Sequence, residues 1–377
     1  MQNIQVYLVQ KNFYMPIHRN SRHLSFVHAI REALDQSMER NQHVIVIGEG
    51  VPDPKNIFES TSYLQDKYGK SRVYDMPLSE NGMTGVCIGS AIRGLRPVLI
   101  HQRIDFSLLS IDQIVNNAAK WFYMFNGKSS VPLVIRMIIG RGWGQGPQHS
   151  QSLQAIFALI PGLKVVMPTT AYDAKGMLIS AINDDNPIIF IEHRWLHNIL
   201  DSVPKKYYEV EIGKAKIIKK GLSLTLAAFS YMVIESLSVA KTLDKFLGLK
   251  IEVIDMRSVR PLDVGCVIKS VRKTKNLIVA DTAHAFGSIA SELIFKVVEK
   301  CFNLLKKPPI RICSPDHPTP TSFGLTKLYY PEAQDILKQI IDMLELKINK
   351  EFLKVIINEL KRCDKHDTPN KNFIGPF

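Results

Sequence analysis

Glu80 stands just inside the start of an apolar, glycine-studded segment, Asp75-Met-Pro-Leu-Ser-Glu80-Asn-Gly-Met-Thr-Gly-Val-Cys-Ile-Gly89. Leu78, Met83, Val86 and Ile88 are expected to leave little polar surface nearby, and Ser79 is placed to cap the helix start through its hydroxyl. Burial in a low dielectric disfavours the charged carboxylate. The positive end of the helix dipole favours it. A carboxyl group under these opposed influences is a candidate proton carrier. Taken alone, the segment has a blander and commoner reading: a capping-box glutamate, or a first-turn charge on a solvated helix.

Further motifs follow in order. Gly94-Leu-Arg-Pro97, Asp105-Phe-Ser and Ile111-Asp-Gln-Ile-Val-Asn-Asn-Ala-Ala-Lys120 come first. Val131-Pro-Leu-Val-Ile-Arg136 and Gly140-Arg-Gly-Trp-Gly-Gln-Gly-Pro-Gln-His149-Ser-Gln151 come next, then Pro161-Gly-Leu-Lys-Val-Val-Met-Pro168 and Ala171-Tyr-Asp-Ala-Lys-Gly176. In this order and spacing the chain resembles the beta subunit of thiamine-diphosphate-dependent 2-oxo acid dehydrogenases. These are the decarboxylating components of the pyruvate and branched-chain complexes. The resemblance runs from about residue 24 to about 345 and is most specific through 74–192.

The resemblance gives these residues roles. Glu80 matches the glutamate that hydrogen-bonds a ring nitrogen of the cofactor's pyrimidine and so activates it. Phe106 matches the aromatic residue on which the pyrimidine stacks, Leu78 an apolar neighbour of the cofactor, and Glu49 a glutamate on the pyrimidine side. His149 matches the histidine at the mouth of the site. That histidine binds the substrate carboxylate or passes protons, a task suited to a group that titrates near neutrality. Each has a structural alternative: a core phenylalanine, a loop charge after a strand, a histidine that holds its loop. By position, Leu133, Ala181, Asp184 and Asn186 match the ligands of the structural potassium ion present in some members. The alternative there is a helix-ending turn without metal. The glycines of the 140–146 loop lack the strand-turn-helix context of a dinucleotide fingerprint, so a Rossmann site is rejected.

No Gly-Asp-Gly occurs in the chain. In the family that motif holds the diphosphate and Mg2+. The resemblance therefore implies a separate alpha subunit, an alpha2-beta2 assembly with its active site at the interface, and a lipoyl-bearing acyltransferase as a further partner. Three departures stand out. His101-Gln-Arg-Ile-Asp105 replaces a more apolar segment before Phe106, Asp281-Thr-Ala-His284 is unusual, and the tail 346–377 is extra. On an extended strand Gln102 would share a face with Ile104 and Phe106, near substrate, and Arg103 would face a subunit interface. Two rival functions remain at this stage: a split transketolase-like ketol or acyl transferase, and a non-catalytic partner-binding module of the same fold.

The wider composition is that of a cytoplasmic protein with room for two full cores. The apolar fraction is 46% and no run is long enough to span a bilayer. The N-terminus carries no secretory pattern. Five scattered cysteines form no Cys-x-x-Cys pair, which argues against a disulfide framework or zinc site. A net charge of +13 raises nucleic acid as a partner. The basic residues are spread along the chain without interleaved aromatics, so an acidic protein partner or a compositional bias explains the charge equally well.

Strand-like runs at 44–48, 97–100, 133–137, 164–167 and 187–192 alternate with helical patterns at 25–38, 81–93, 108–125, 151–159 and 172–184. A second set has strands at 222–228, 251–255, 276–280 and 310–313, and helices near 231–246, 264–273, 286–302 and 331–345. Such alternation predicts an α/β protein of two domains, each a mostly parallel sheet flanked by helices. The expected order is an arm (1–22), a transketolase-like pyrimidine-binding domain (23–200), a linker (201–220), a transketolase C-terminal-like domain (221–345) and an amphipathic, mildly basic tail (346–377). Packing on its parent domain or on a neighbouring subunit is the expected role of the tail helix.

Overall fold

The computed structural model describes residues 22–56, 59–141 and 144–361. Apart from Arg22, the expected N-terminal arm lies outside the described residues, as does the tail beyond 361. The first strand, β1 (His23–Ser25), runs straight into the helix Phe26–Arg40. Ser25 Oγ accepts from His28 N at 3.3 Å and caps that helix. Then come β2 (Val44–Gly48), β3 (Val73–Asp75), β4 (Arg96–His101), β5 (Val134–Ile139), β6 (Lys164–Val166) and β7 (Ile188–His193). They lie side by side in the order β6-β7-β5-β4-β2-β3, all parallel. Every residue of β2, β5 and β7 is buried, as expected where helices cover both faces of a sheet. β8 (Leu200–Ser202) returns to pair antiparallel with β1.

The second half contributes β9 (Lys216–Lys219), β10 (Leu224–Ala228), β11 (Ile251–Asp255), β12 (Ser258–Arg260), β13 (Leu277–His284) and β14 (Ile310–Ser314). Its sheet has the order β14-β13-β10-β11-β9, parallel except for β9. β12 leaves this sheet and adds antiparallel to β6, as the seventh strand of the first one. The buried core is shared in the same way. Ile135, Ile139 and Met167 belong to one apolar cluster with Ile254, Met256 and Val279.

Two stretches differ from the sequence expectation. Residues 201–220 hold ordered structure: β9 is an edge strand, and the chain before it is pinned along the helix Ala171–Asn183. Lys175 Nζ donates there to the carbonyls of Pro204 and Lys206 at 2.8 and 2.9 Å and pairs with Glu32 at 2.6 Å. A buried ammonium needs such partners, and the sequence does not show which segment will provide them. The stretch 108–125 is not one α-helix. It runs as a 3-10 turn (Phe106–Ser110), a π turn (Gln113–Ala118) and a short α-helix (Ala119–Met124).

The last described helix, Lys350–Leu360, is capped by Asn349, whose Oδ1 accepts from Phe352 N at 2.8 Å. It packs on the helices Tyr231–Leu247 and Ala333–Leu344 of its own half. Ile356 and Leu360 are buried there, and Phe352 meets Phe246 edge-on at 6.0 Å. Burying those two side chains stabilises by about 3–6 kcal/mol, of which the ordering of the helix offsets a large part. Truncation after Leu344 is therefore expected to cost about 2 kcal/mol, read as a fall of a few degrees in Tm. An unchanged melting curve would show that the helix adds nothing to the domain. Among the described residues, no helix is long and apolar enough to cross a membrane.

Candidate functional site

The parallel sheet reverses its strand order beside β2. The chain passes from β2 to β3 on one side, then returns to β4 on the other. In open α/β sheets, the crevice beyond the carboxyl ends of the strands at such a point is where ligands bind. Four of the sequence-predicted residues come from this edge. Glu49 follows β2, the Glu80 helix follows β3, Phe106 follows β4, and the loop with His149 follows β5.

Glu80 is the first residue of the helix Glu80–Ile92 and is 9% exposed. The expected hydroxyl cap is not made. Ser79 has φ −153° and ψ 63°, outside the extended geometry of an N-cap, and its side chain accepts no helix N–H. Its carbonyl still accepts the first helix bond, from Met83 N at 2.9 Å. Neither a side chain nor a backbone N–H among the described residues donates to the Glu80 carboxylate, so no capping box is formed. Two further expectations fail locally. Leu78 is 84% exposed and Val86 51% exposed, so Glu80 is not walled off by these residues within this chain. Leu78 precedes the helix and Val86 lies on it, and the described residues leave both largely uncovered.

Glu49 sits in the turn after β2. Its Oε1 is buried without a hydrogen-bond partner. Burial, then the negative charges of Glu80 and Asp75, hold its carboxyl above the usual glutamate range. Asp75 also accepts from Gly50 N at 2.7 Å, and Gln102 Nε2 donates to the Glu49 carbonyl at 3.1 Å. Gly50 has φ +67°, and a Cβ there would stand 3.2 Å from Gln102 Nε2, so the turn calls for glycine. The Glu80 helix packs against the turn that begins at Phe106. Phe106 and His149 meet with ring centroids 5.3 Å apart at 88°, an edge-to-face pair.

The segment before Phe106 corrects one expectation. Strand β4 ends at His101 and a tight turn follows, so the alternation of faces assumed for 102–106 does not apply. Arg103 points inward and is 5% exposed. Its guanidinium donates to the Gly140 carbonyl at 3.3 Å and to Gln145 Oε1. Asp105 accepts from Gln151 N and Nε2 at 3.3 and 2.8 Å. Sequence reasoning missed the roles of Arg103, Asp105 and Gln151. The only signal was the placing of two opposite charges around Ile104 just before Phe106.

His101 itself is buried, and burial lowers its pKa to about 4. An unfolded histidine titrates near 6.5. Between those values the unfolded chain binds a proton that the folded chain does not, so stability falls as pH drops from about 6.5 to about 4. The full loss from this residue is about 3 kcal/mol, at 1.36 kcal/mol per unit of pKa. His101→Leu is expected to flatten the acid limb of a plot of melting temperature against pH. An identical limb would assign the loss to other groups.

The expected cation ligands gather at one end of the sheet, where Leu133 and Asp184 also have protein partners. The Leu133 carbonyl accepts from Ile188 N at 2.9 Å. Arg96 donates to the carbonyls of Ile182 and Asp184 at 2.9 and 3.0 Å. The Asp184 carboxylate takes Lys164 and the side chain of Asn186. Ala181 is buried on the preceding helix. Neither Asp184 nor Asn186 has a buried side-chain atom lacking a partner. Among the described residues, no cluster of three His, Cys, Asp or Glu side chains is placed to hold a metal.

Residues 22–198 match the transketolase pyrimidine-binding domain and residues 213–336 the transketolase C-terminal domain. The chain is 40% identical over 326 residues to the beta subunit of acetoin:2,6-dichlorophenolindophenol oxidoreductase of Cupriavidus necator, spanning 84% of this chain and 96% of that one. It is also 40% identical over 314 residues to the mitochondrial pyruvate dehydrogenase E1 component subunit beta-2 of Oryza sativa, spanning 82% and 83% of the two chains. Among solved structures it is similar to a split-gene transketolase described as an inactive beta4 tetramer. The TM-score is 0.68 at 20% identity, covering 86% of this chain and 100% of that one. At that identity the likeness speaks for the fold alone.

Proposed function

The chain belongs to the family of beta subunits of thiamine-diphosphate-dependent 2-oxo acid dehydrogenases, and we propose that it supplies the pyrimidine-binding half of an interfacial active site. It is an oxidoreductase subunit that works with an alpha partner. The reading rests on one observation above the rest. Glu49, Glu80, Phe106 and His149 come from the carboxyl ends of four neighbouring strands, and the buried Glu49 Oε1 has no hydrogen-bond partner among the described residues.

These residues fit the pyrimidine end of the cofactor. When bound, thiamine diphosphate supplies the nucleophilic carbon and the electron sink that decarboxylation of a 2-oxo acid requires. Glu80 holds and releases a proton at a ring nitrogen of the pyrimidine, and Phe106 offers its face for stacking. Glu49, whose carboxyl is held above the usual glutamate range by burial and by the charges of Glu80 and Asp75, stands beside Glu80 on the pyrimidine side. His149, edge-on to Phe106, is placed to bind the substrate carboxylate and to move a proton during acyl transfer.

Mg2+ and the diphosphate fall to the alpha subunit in this proposal, since the chain has no Gly-Asp-Gly. The assembly is alpha2-beta2, and a lipoyl-bearing acyltransferase takes the acyl group. Exposed apolar side chains support the partner contact: Leu78 just before the Glu80 helix, Val86 on it, and Leu109 on the turn packed against it. An apolar surface of this kind marks a protein interface. Co-purification from the native source, with the partner identified by mass spectrometry, tests the reading. A partner carrying the missing motif and release of CO2 from a 2-oxo acid are the expected results. A chain that purifies alone and turns over no oxo acid with any supplied alpha subunit would refute it.

A further inference from the structure

We propose that Arg103 is a positioning residue that sets His149 against Phe106 by clamping the described parts of the loop after β5, Gly140 and residues 144–151. This rests on the reading of His149 and Phe106 given above, and it concerns residues of this chain only.

The loop leaves β5 at Ile139, and three of its glycines, Gly140, Gly144 and Gly146, hold positive φ of 110°, 65° and 68°. Such glycines let the chain turn sharply but make it costly to order. Something must therefore hold it. Arg103 grips the near half through the Gly140 carbonyl and the Gln145 side chain. Asp105, two residues on, grips the far end through the backbone and side chain of Gln151. Between them Ile104 is fully buried, and its N–H donates to the Ile138 carbonyl at 3.0 Å. One turn thus holds both ends of the loop, and the residue after that turn is Phe106 itself. The ring of His149 and the ring it meets are placed by the same few hydrogen bonds.

The outer side of the loop is closed as well. A Cβ at Gly146 would stand 2.6 Å from Thr321 Oγ1, and one at Gly140 would stand 2.8 Å from the His193 ring. Arg141 lies between the rings of Trp195 and Tyr330, at 3.9 and 4.2 Å, and pairs with Glu332 at 3.0 Å. With the outside held by Trp195 and by residues of the second half, the two inner grips, Arg103 on Gly140 and Gln145 and Asp105 on Gln151, decide together where His149 comes to rest. A guanidinium suits this task because its fork can serve a carbonyl and an amide oxygen together while buried.

The test compares Arg103→Met, Arg103→Lys and the milder Gln145→Ala, first as the free chain and then assembled with the alpha partner. In the free chain, amide exchange at 144–151 is expected to rise about tenfold in Arg103→Met, with the rest of the chain unchanged. In the assembled enzyme, turnover of pyruvate should fall by about tenfold to a hundredfold while KM for thiamine diphosphate holds within about twofold. Arg103→Lys should recover part of the loss, since an ammonium reaches one of the two acceptors. Gln145→Ala should be intermediate, and it carries the test if Arg103→Met does not fold. Unchanged loop exchange in both Arg103→Met and Gln145→Ala overturns the clamp. A loosened loop with undiminished turnover overturns its bearing on His149. A parent enzyme inactive on every oxo acid, with the exchange result as expected, would leave the clamp standing and remove the catalytic reading instead.

Discussion

Replacing Glu80 by glutamine is expected to lower turnover of the assembled enzyme by about a thousandfold, the scale of a lost general acid–base group, while assembly is unaffected. The amide matches the carboxyl in shape but holds no transferable proton. The expected separation of activity from assembly comes from the structure. Glu80 is nearly buried, yet no described side chain donates to it, so the fold loses no hydrogen bond in the change. A capping glutamate would behave otherwise: its loss would destabilise the helix and leave chemistry to the other groups. Measuring CO2 release and sedimentation of the variant side by side decides the matter. Turnover above about one tenth of the parent would remove Glu80 from the role assigned to it, since a general acid–base group contributes at least about a hundredfold.

The isolated chain is expected to bind thiamine diphosphate no tighter than about millimolar, even with Mg2+ present. Micromolar binding requires about 8 kcal/mol. The groups on this chain that could meet the pyrimidine offer one stacking face, worth about 1 kcal/mol, and hydrogen bonds to carboxylates, worth about 1.5–3 kcal/mol each. The cost of immobilising the ligand consumes much of that. The diphosphate carries most of the charge, and this chain has no Gly-Asp-Gly to bring a metal to it. Two acids at the pyrimidine end, Glu49 and Glu80, add repulsion if the diphosphate is left without a counter-charge. Calorimetry on the pure chain is the measurement. A dissociation constant near micromolar without a partner would mean that this chain holds the whole cofactor, and the two-subunit reading would fall. Addition of the alpha subunit should tighten binding by about a thousandfold, some 4 kcal/mol.

Much of this was legible in the amino-acid order because the relevant signals are local. Buried parallel strands are short continuous apolar runs, and 44–48, 133–137 and 187–192 lie within one or two residues of β2, β5 and β7. Helices announce themselves by their period, as at 25–38 and 231–246. The ordered motifs around Glu80, Phe106 and His149 carried the family, and alternating strands and helices carried the fold class. Once the strands are parallel, loops that follow neighbouring strands must emerge at one edge, so their meeting there was implied as well.

What the sequence could not decide were matters that depend on which distant group arrives. Arg103 reads as a residue of the subunit interface on an alternating strand. Only the end of β4 at His101 turns it inward, and only the loop from β5 makes burial of its charge tolerable, by bringing Gly140 and Gln145 to it. Ser79 reads as a cap by type, but its backbone angles, set by the approach to Glu80, deny it the N–H. Leu78 reads as buried because it is apolar, whereas the described residues leave it 84% exposed. Strand β12 joins the sheet of the other half through pairing across more than ninety residues of sequence separation from β6, which no local pattern records. Local hydrophobic period and backbone preference act over a few residues and can be read from one chain. The hydrogen-bond partners of a buried polar group are chosen by the packing of whole elements, and only the tertiary structure supplies them.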